Sequence, residues 1–207
     1  MPLTETIMPL TNFSPYLKNG VLDLNKEGNK FSSGKGGIRC FKDIFDIGRL
    51  AKFIETTPGI MELNAVMWGI GEMGIGNFRL LMNAINKSEI TAINFENNSL
   101  STKMAKEISK LSKLIKLNLG GGNIGDEGII EIVNSLHGLE YFDARANYIT
   151  DKGAYAMVKA LPKIKAFGIG YGNDISCGRL KQVAAAILPL LYLMHSLVLI
   201  VIKNYWE

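Results

Sequence analysis

The chain has 207 residues, 47% of them hydrophobic and 20% charged, with a formal net charge of +4. That composition excludes wholesale disorder, fits one domain or one domain with a small appendage, and carries too little basic excess to mark a nucleic-acid binder. Two cysteines, Cys40 and Cys177, lie outside any CxxC spacing, which argues against a disulfide scaffold or a cysteine zinc site and fits reduced thiols in the cytoplasm.

Taken in chain order, residues Met1 to Tyr16 include Pro2, Pro9 and Pro15 and have no charged start leading into a long apolar run. They predict an irregular lead-in and not a secretory signal. Val21-Leu22-Asp23-Leu24 alternates like a short strand with one buried face. The stretch from Gly28 to Gly37 has the flavour of a phosphate-binding loop. However, Asn29 stands where its first glycine is required, and Gly36 stands where Ser or Thr should follow Lys35. It reads as a flexible connection. Phe41, Ile44, Phe45, Ile47, Leu50, Phe53 and Ile54 then recur at helical spacing, and Pro58-Gly59 ends that helix. Residues 1–59 together read as a lead-in and an atypical N-terminal cap.

From Ile60 a unit repeats. Leu114, Leu117, Leu119, Ile124 and Gly128 mark its offsets 1, 4, 6, 11 and 15. The same offsets fall on Ile60, Leu63, Ala65, Ile70 and Gly74, and on Ile90, Ile93, Phe95, Leu100 and Met104. They fall again on Leu139, Phe142, Ala144, Ile149 and Gly153, and then on Ile164, Phe167, Ile169 and Gly178, with Ile175 one place late. Starts at 60, 90, 114, 139 and 164 give steps of 30, 24, 25 and 25 residues. Each unit predicts a short strand, a polar turn and a helix. Ala154, Met157, Val158 and Leu161 form one helical stripe, and Asp126 and Asp151 stand near helix starts. Gly138 and Pro162 close their helices. One such unit cannot bury its own apolar stripe, so neighbours must stack, with parallel strands on a concave side and helices on a convex side. About five repeats over residues 60–188 are expected.

Val183 to Ile202 is 20 residues without Asp, Glu, Lys or Arg. Two readings stay open for the end of the chain. Residues 189–207 either cap the array or anchor it to a membrane by its tail, the repeats remaining in the cytoplasm.

The strings Leu117-Asn118-Leu119, Ile124-Gly125-Asp126-Glu127-Gly128 and Tyr148-Ile149-Thr150-Asp151-Lys152-Gly153 resemble the ribonuclease-inhibitor class of leucine-rich repeats. The resemblance covers roughly Ile60 to Leu188. It implies an α/β fold, a right-handed curved solenoid with a ligand-binding concave face, and no particular partner. The turn asparagine expected at offset 9 is replaced by Trp68, Gly122 and Gly172.

The candidate partner-binding residues are those whose offsets point away from the helices: Glu62, Asn64, Asn94, Glu96, Lys116, Asn118, Tyr141, Asp143, Arg145 and Tyr171. Tyr141, Arg145 and Tyr171 are the types that anchor interfaces. The Asn64, Asn94, Asn118, Asp143 column either reads a partner's backbone or solvates the sheet. Lys103, Lys106, Lys110 and Lys113 predict a solvated helix face. No catalytic set is legible around His137 and His195, the only histidines. The expected function is non-enzymatic binding of another protein, with no cofactor, no metal and no nucleic acid. Alternatives are a tail-anchored version using Val183 to Ile202 and, more distantly, regulation of a small GTPase through Arg145.

Overall fold

A computed structural model of the chain describes residues 12–27, 47–160, 163–183 and 185. Most of the lead-in, the glycine-rich connection, Phe41 to Phe45 of the expected amphipathic helix, Pro162, and nearly all of Val183 to Ile202 lie outside the described residues.

Seven short strands form one sheet in chain order. They are β1 (Leu17–Lys18), β2 (Val21–Asp23), β3 (Glu62–Asn64), β4 (Ala92–Asn94), β5 (Lys116–Asn118), β6 (Tyr141–Asp143) and β7 (Ala166–Gly168). β1 and β2 are an antiparallel hairpin, turned at Asn19-Gly20 with φ of 52° and 78°, the geometry that asparagine and glycine tolerate best. Every later pairing is parallel. The α-helices between strands are α1 (Ile47–Thr56), α2 (Ile75–Lys87), α3 (Thr102–Ile108), α4 (Gly125–Ser135) and α5 (Asp151–Ala160). Residues 177–183 are helical too. Each of α2 to α5 packs on the helix before it.

Register explains the repeat. Leu22, Leu63, Ile93, Leu117, Phe142 and Phe167 pair in one continuous row across the parallel strands. All six are at most 4% exposed. Burying one such side chain stabilises by about 1.5–3 kcal/mol, and the row is buried only because the neighbouring units are present. The first unit is longer than the rest because it holds an extra 3-10 turn, Ile70–Glu72, before a 13-residue α2. At the N-terminal end Phe13 is buried and stacks near Phe53 of α1, with ring centroids 5.6 Å apart.

After each of β3 to β6 the chain turns through a left-handed residue: Met67, Asn97, Gly121 and Ala146, with φ of 60°, 56°, 74° and 51°. Their N–H groups donate to the carbonyls of Glu96, Gly120, Arg145 and Tyr171 respectively. Tyr171 therefore occupies the place of Arg145, one offset earlier than counting assigns it, and Gly172 at φ 70° takes the left-handed position. The last unit carries an inserted residue before Tyr171, which is also why Ile175 comes late.

The same insertion restores an asparagine that counting loses. Asn98 Oδ1 accepts from Trp68 N at 2.9 Å and Ile70 N at 3.1 Å, while its Nδ2 donates to Ala65 O at 2.6 Å. Asn173, not Gly172, repeats this, accepting from Asn147 N at 2.8 Å and Ile149 N at 3.1 Å. These side chains supply partners for backbone groups that turn inward between units. At the N-terminal end Trp68 instead reaches back, its Nε1 donating to Asn25 Oδ1 at 2.7 Å.

The helix-start aspartates work across units. Asp126 Oδ1 accepts from Thr150 N at 2.9 Å and Gly153 N at 3.1 Å, so it caps the following helix and not its own. Asp151 likewise accepts from Ser176 N at 2.8 Å, and the two Ser176 hydrogen bonds hold its carboxyl below the usual range. Close approach explains Gly153, where a Cβ would meet Asp126 Oδ1 at 2.5 Å. The four lysines do not share one helix. α3 ends at Ile108, Lys110 pairs with Glu107, and Lys113 Nζ donates to Asn86 O at 2.7 Å, near the end of α2. Lys103 and Lys106 are exposed.

Candidate protein-binding face

In a three-residue strand the middle side chain points to the helices and the outer two point to the opposite face. Register lines the outer ones into rows. The first runs Val21, Glu62, Ala92, Lys116, Tyr141, Ala166, and the second runs Asp23, Asn64, Asn94, Asn118, Asp143, Gly168. A third row lies past the strands and contains Glu96, Gly120, Arg145 and Tyr171. All ten candidate residues thus fall on one open sheet face.

They do not all have free polar groups. In the second row Asn94, Asn118 and Asp143 use Oδ1 to accept from the N–H two residues on, in Glu96, Gly120 and Arg145, at 3.2, 3.0 and 3.0 Å. These are Asx turns, the local bond that suits Asn and Asp to the end of a strand. Asn64 Nδ2 instead donates to Asp23 Oδ1 at 3.1 Å, and Asn118 Nδ2 donates to Glu96 Oε2 at 3.2 Å. The column mainly shapes the turns.

Arg145 is committed as well. Its Nε lies 2.9 and 2.8 Å from the two carboxylate oxygens of Asp143, and its Nη2 also binds Oδ2. Asp143 is only 3% exposed, beneath the guanidinium. Gly168 makes room for it, because a Cβ there would stand 2.8 Å from the carboxylate. The hydrogen bond to Asp143 raises the Arg145 pKa further, against burial. The Tyr141 phenol is pushed up by burial, with the Asp143 charge adding to the effect.

What remains to meet a partner is a smaller set. Tyr141 and Tyr171 are 37% and 56% exposed. The side chains of Glu62 and Lys116 have no hydrogen bond or ion pair among the described residues. Between them lies a depression of ≈ 320 Å³. Counting offsets overlooked Tyr148, which is 71% exposed with φ of 58°. Only the left-handed turn, invisible in a single sequence, marks it. Among the described residues no group of three or more His, Cys, Asp or Glu side chains could hold a metal. His137 is exposed just beyond α4, Cys177 is an exposed free thiol, and His195 and Cys40 lie outside the described residues.

No protein-family profile matches the sequence, and no curated protein matches it. Solved structures do. The tropomodulin C-terminal domain of Caenorhabditis elegans aligns with a TM-score of 0.55, covering 71% of this chain and 94% of its own, at 15% identity. Leiomodin-1 actin-binding site 2 aligns with a TM-score of 0.52, covering 71% and 88%, also at 15% identity. This chain shares their fold. Identity that low supports the fold alone.

The ribonuclease-inhibitor resemblance is corrected by this finding: the solved structures that share this fold include a tropomodulin and a leiomodin domain. The apolar and glycine positions that suggested it are core and packing positions. Leu117, Leu119 and Ile124 are fully buried, and a Cβ at Gly128 would meet Ile124 Cγ2 at 2.5 Å. Such positions specify how units stack, which any array of this geometry requires. Among the described residues no helix is long and apolar enough to cross a membrane.

Proposed function

We propose that this chain is a non-enzymatic, cytoplasmic binding module, a right-handed leucine-rich-repeat solenoid working without cofactor or metal, whose open sheet face receives actin. The observation that carries the reading is the sheet face itself. It presents partly exposed Tyr141 and Tyr171 and the unpaired side chains of Glu62 and Lys116, while the inward side chains of the strands share one buried core with the helices. Exposed tyrosines on a rigid scaffold give large contact area at small entropic cost. Actin enters from the name of leiomodin-1 actin-binding site 2, whose fold this chain shares.

The tail-anchored alternative draws nothing from the described helices. A GTPase-regulating role would need a free guanidinium, and Arg145 is held by Asp143. The test is binding to monomeric actin and co-sedimentation with filaments. Tyr141→Ala with Tyr171→Ala should weaken binding at least about tenfold with an unchanged melting curve. Absence of binding to either form of actin removes it as the partner. Undiminished binding by the double variant moves the site elsewhere. Arg145 is left intact in this test, because removing it strands the buried Asp143 carboxylate and confuses folding with binding.

A further inference from the structure

Glu62, Ala92, Lys116 and Tyr141 stand side by side across four consecutive parallel strands. Neighbouring strands lie ~4.8 Å apart, so the backbones of Glu62 and Lys116 are separated by roughly 9.6 Å with Ala92 between them. The small Ala92 side chain leaves the depression of ≈ 320 Å³, with Ala92 at its floor and Glu62, Lys116, Asn94, Asn118 and Tyr141 around it. Ion pairs lie elsewhere on the described residues, Arg79 with Glu107, Lys87 with Glu55, Arg145 with Asp143 and Lys165 with Glu140, and the last two hold charges of the neighbouring strand units. The two charges flanking this hollow have no such partner among the described residues. Asn94 uses its oxygen for the Glu96 N–H, which leaves its amide N–H groups to donate.

We propose that this hollow docks an extended segment of a protein partner with a defined order of side chains: basic over Glu62, apolar above Ala92, acidic over Lys116. Charge complementarity sets the order, since the reverse would place like charges together. The apolar floor and the Tyr141 ring accept a hydrophobic side chain, and the Asn94 amide donates to a backbone carbonyl. This rests on the open face being the binding face but not on actin being the partner.

The test uses random dodecapeptides displayed on phage and panned on the full chain. Enriched peptides should share the basic, apolar, acidic order. Their affinity should fall about tenfold or more in Glu62→Lys, in Lys116→Glu and in Ala92→Phe, fall less in Glu62→Gln and Lys116→Gln, and weaken with added salt. Melting curves of the exposed-charge variants should match the parent. Peptides without that charge order, or ones that ignore both charge reversals yet are lost in Tyr171→Ala, overturn the hollow and leave the open face standing. No enrichment, or binding indifferent to every substitution on the face, overturns both.

Discussion

Tyr148 sits at φ 58° with 71% of its surface exposed, so its bulky side chain occupies a left-handed position without gaining burial. A left-handed non-glycine residue costs roughly 1–2 kcal/mol, and asparagine bears that cost better than tyrosine. Tyr148→Asn should therefore raise stability by about 0.5–1 kcal/mol, read as an upward shift of the thermal midpoint. A downward shift would mean that the ring makes a stabilising contact. Arg145 shows how far residue type alone misleads. As a concave arginine it has the look of an interface anchor, yet its Nε and Nη2 are bound to a carboxylate two residues earlier in its own unit. The sequence shows both residues, but not that Asp143 is buried and needs a cation.

Between elements, the contact of α2 with α3 centres on Glu107, which is 7% exposed and bound by Arg79 from α2 and by Lys110. The Lys110 hydrogen bond is the main influence holding its carboxyl below the usual glutamate range, helped by Arg79 and opposed by burial. A carboxyl depressed on folding stabilises fully above its unfolded pKa, and that contribution is lost as pH falls through the folded value. Both cations are more than half exposed, so solvent screening limits the contribution to about 1 kcal/mol at neutral pH. Glu107→Gln should thus lower stability near neutrality and flatten the acid limb of the stability curve. An unchanged acid limb in urea titrations at several pH values would contradict the assignment. The lysine spacing that suggested one helix face has a related lesson. Lys110 and Lys113 fall past the end of α3, where they bind an acid and a helix C-terminus, because the helix stops after seven residues.

The whole molecule is held by contacts between units, so the bonds that staple one unit to the next have outsized effects. Asn98 makes four bonds through both ends of its amide, three of them to the preceding unit, and two of those three accept from N–H groups of that unit's turn. Asn147 donates to Leu119 O and Arg145 O, but its Oδ1 has no partner, because Gly122 N bonds Ala146 O instead. Asn98→Ala should cost about 3 kcal/mol and Asn147→Ala about 2, since unsatisfied buried groups cost roughly 1–3 kcal/mol each. Chemical denaturation checks the ranking, and a larger loss at Asn147 would reverse it. The three consecutive glycines from Gly120 to Gly122 belong to the same site, because a Cβ at Gly122 would meet Asn147 Oδ1 at 2.4 Å.

Apolar spacing in the sequence by itself determined the strand–turn–helix unit, its five starts and the row from Leu63 to Phe167, because side chains that must share one buried interior recur at the interval of the stack. Only the tertiary structure decided the register of the last unit, where one inserted residue moves Tyr171 beside Arg145 and brings Asn173 into the turn. It alone separated the outward-facing polar residues into those consumed by turns and ion pairs and those left unpaired, Glu62 and Lys116. That division depends on which neighbour each polar group reaches across about 5 Å of sheet, and adjacency of that kind arises only when units 24 to 30 residues apart in the chain are stacked.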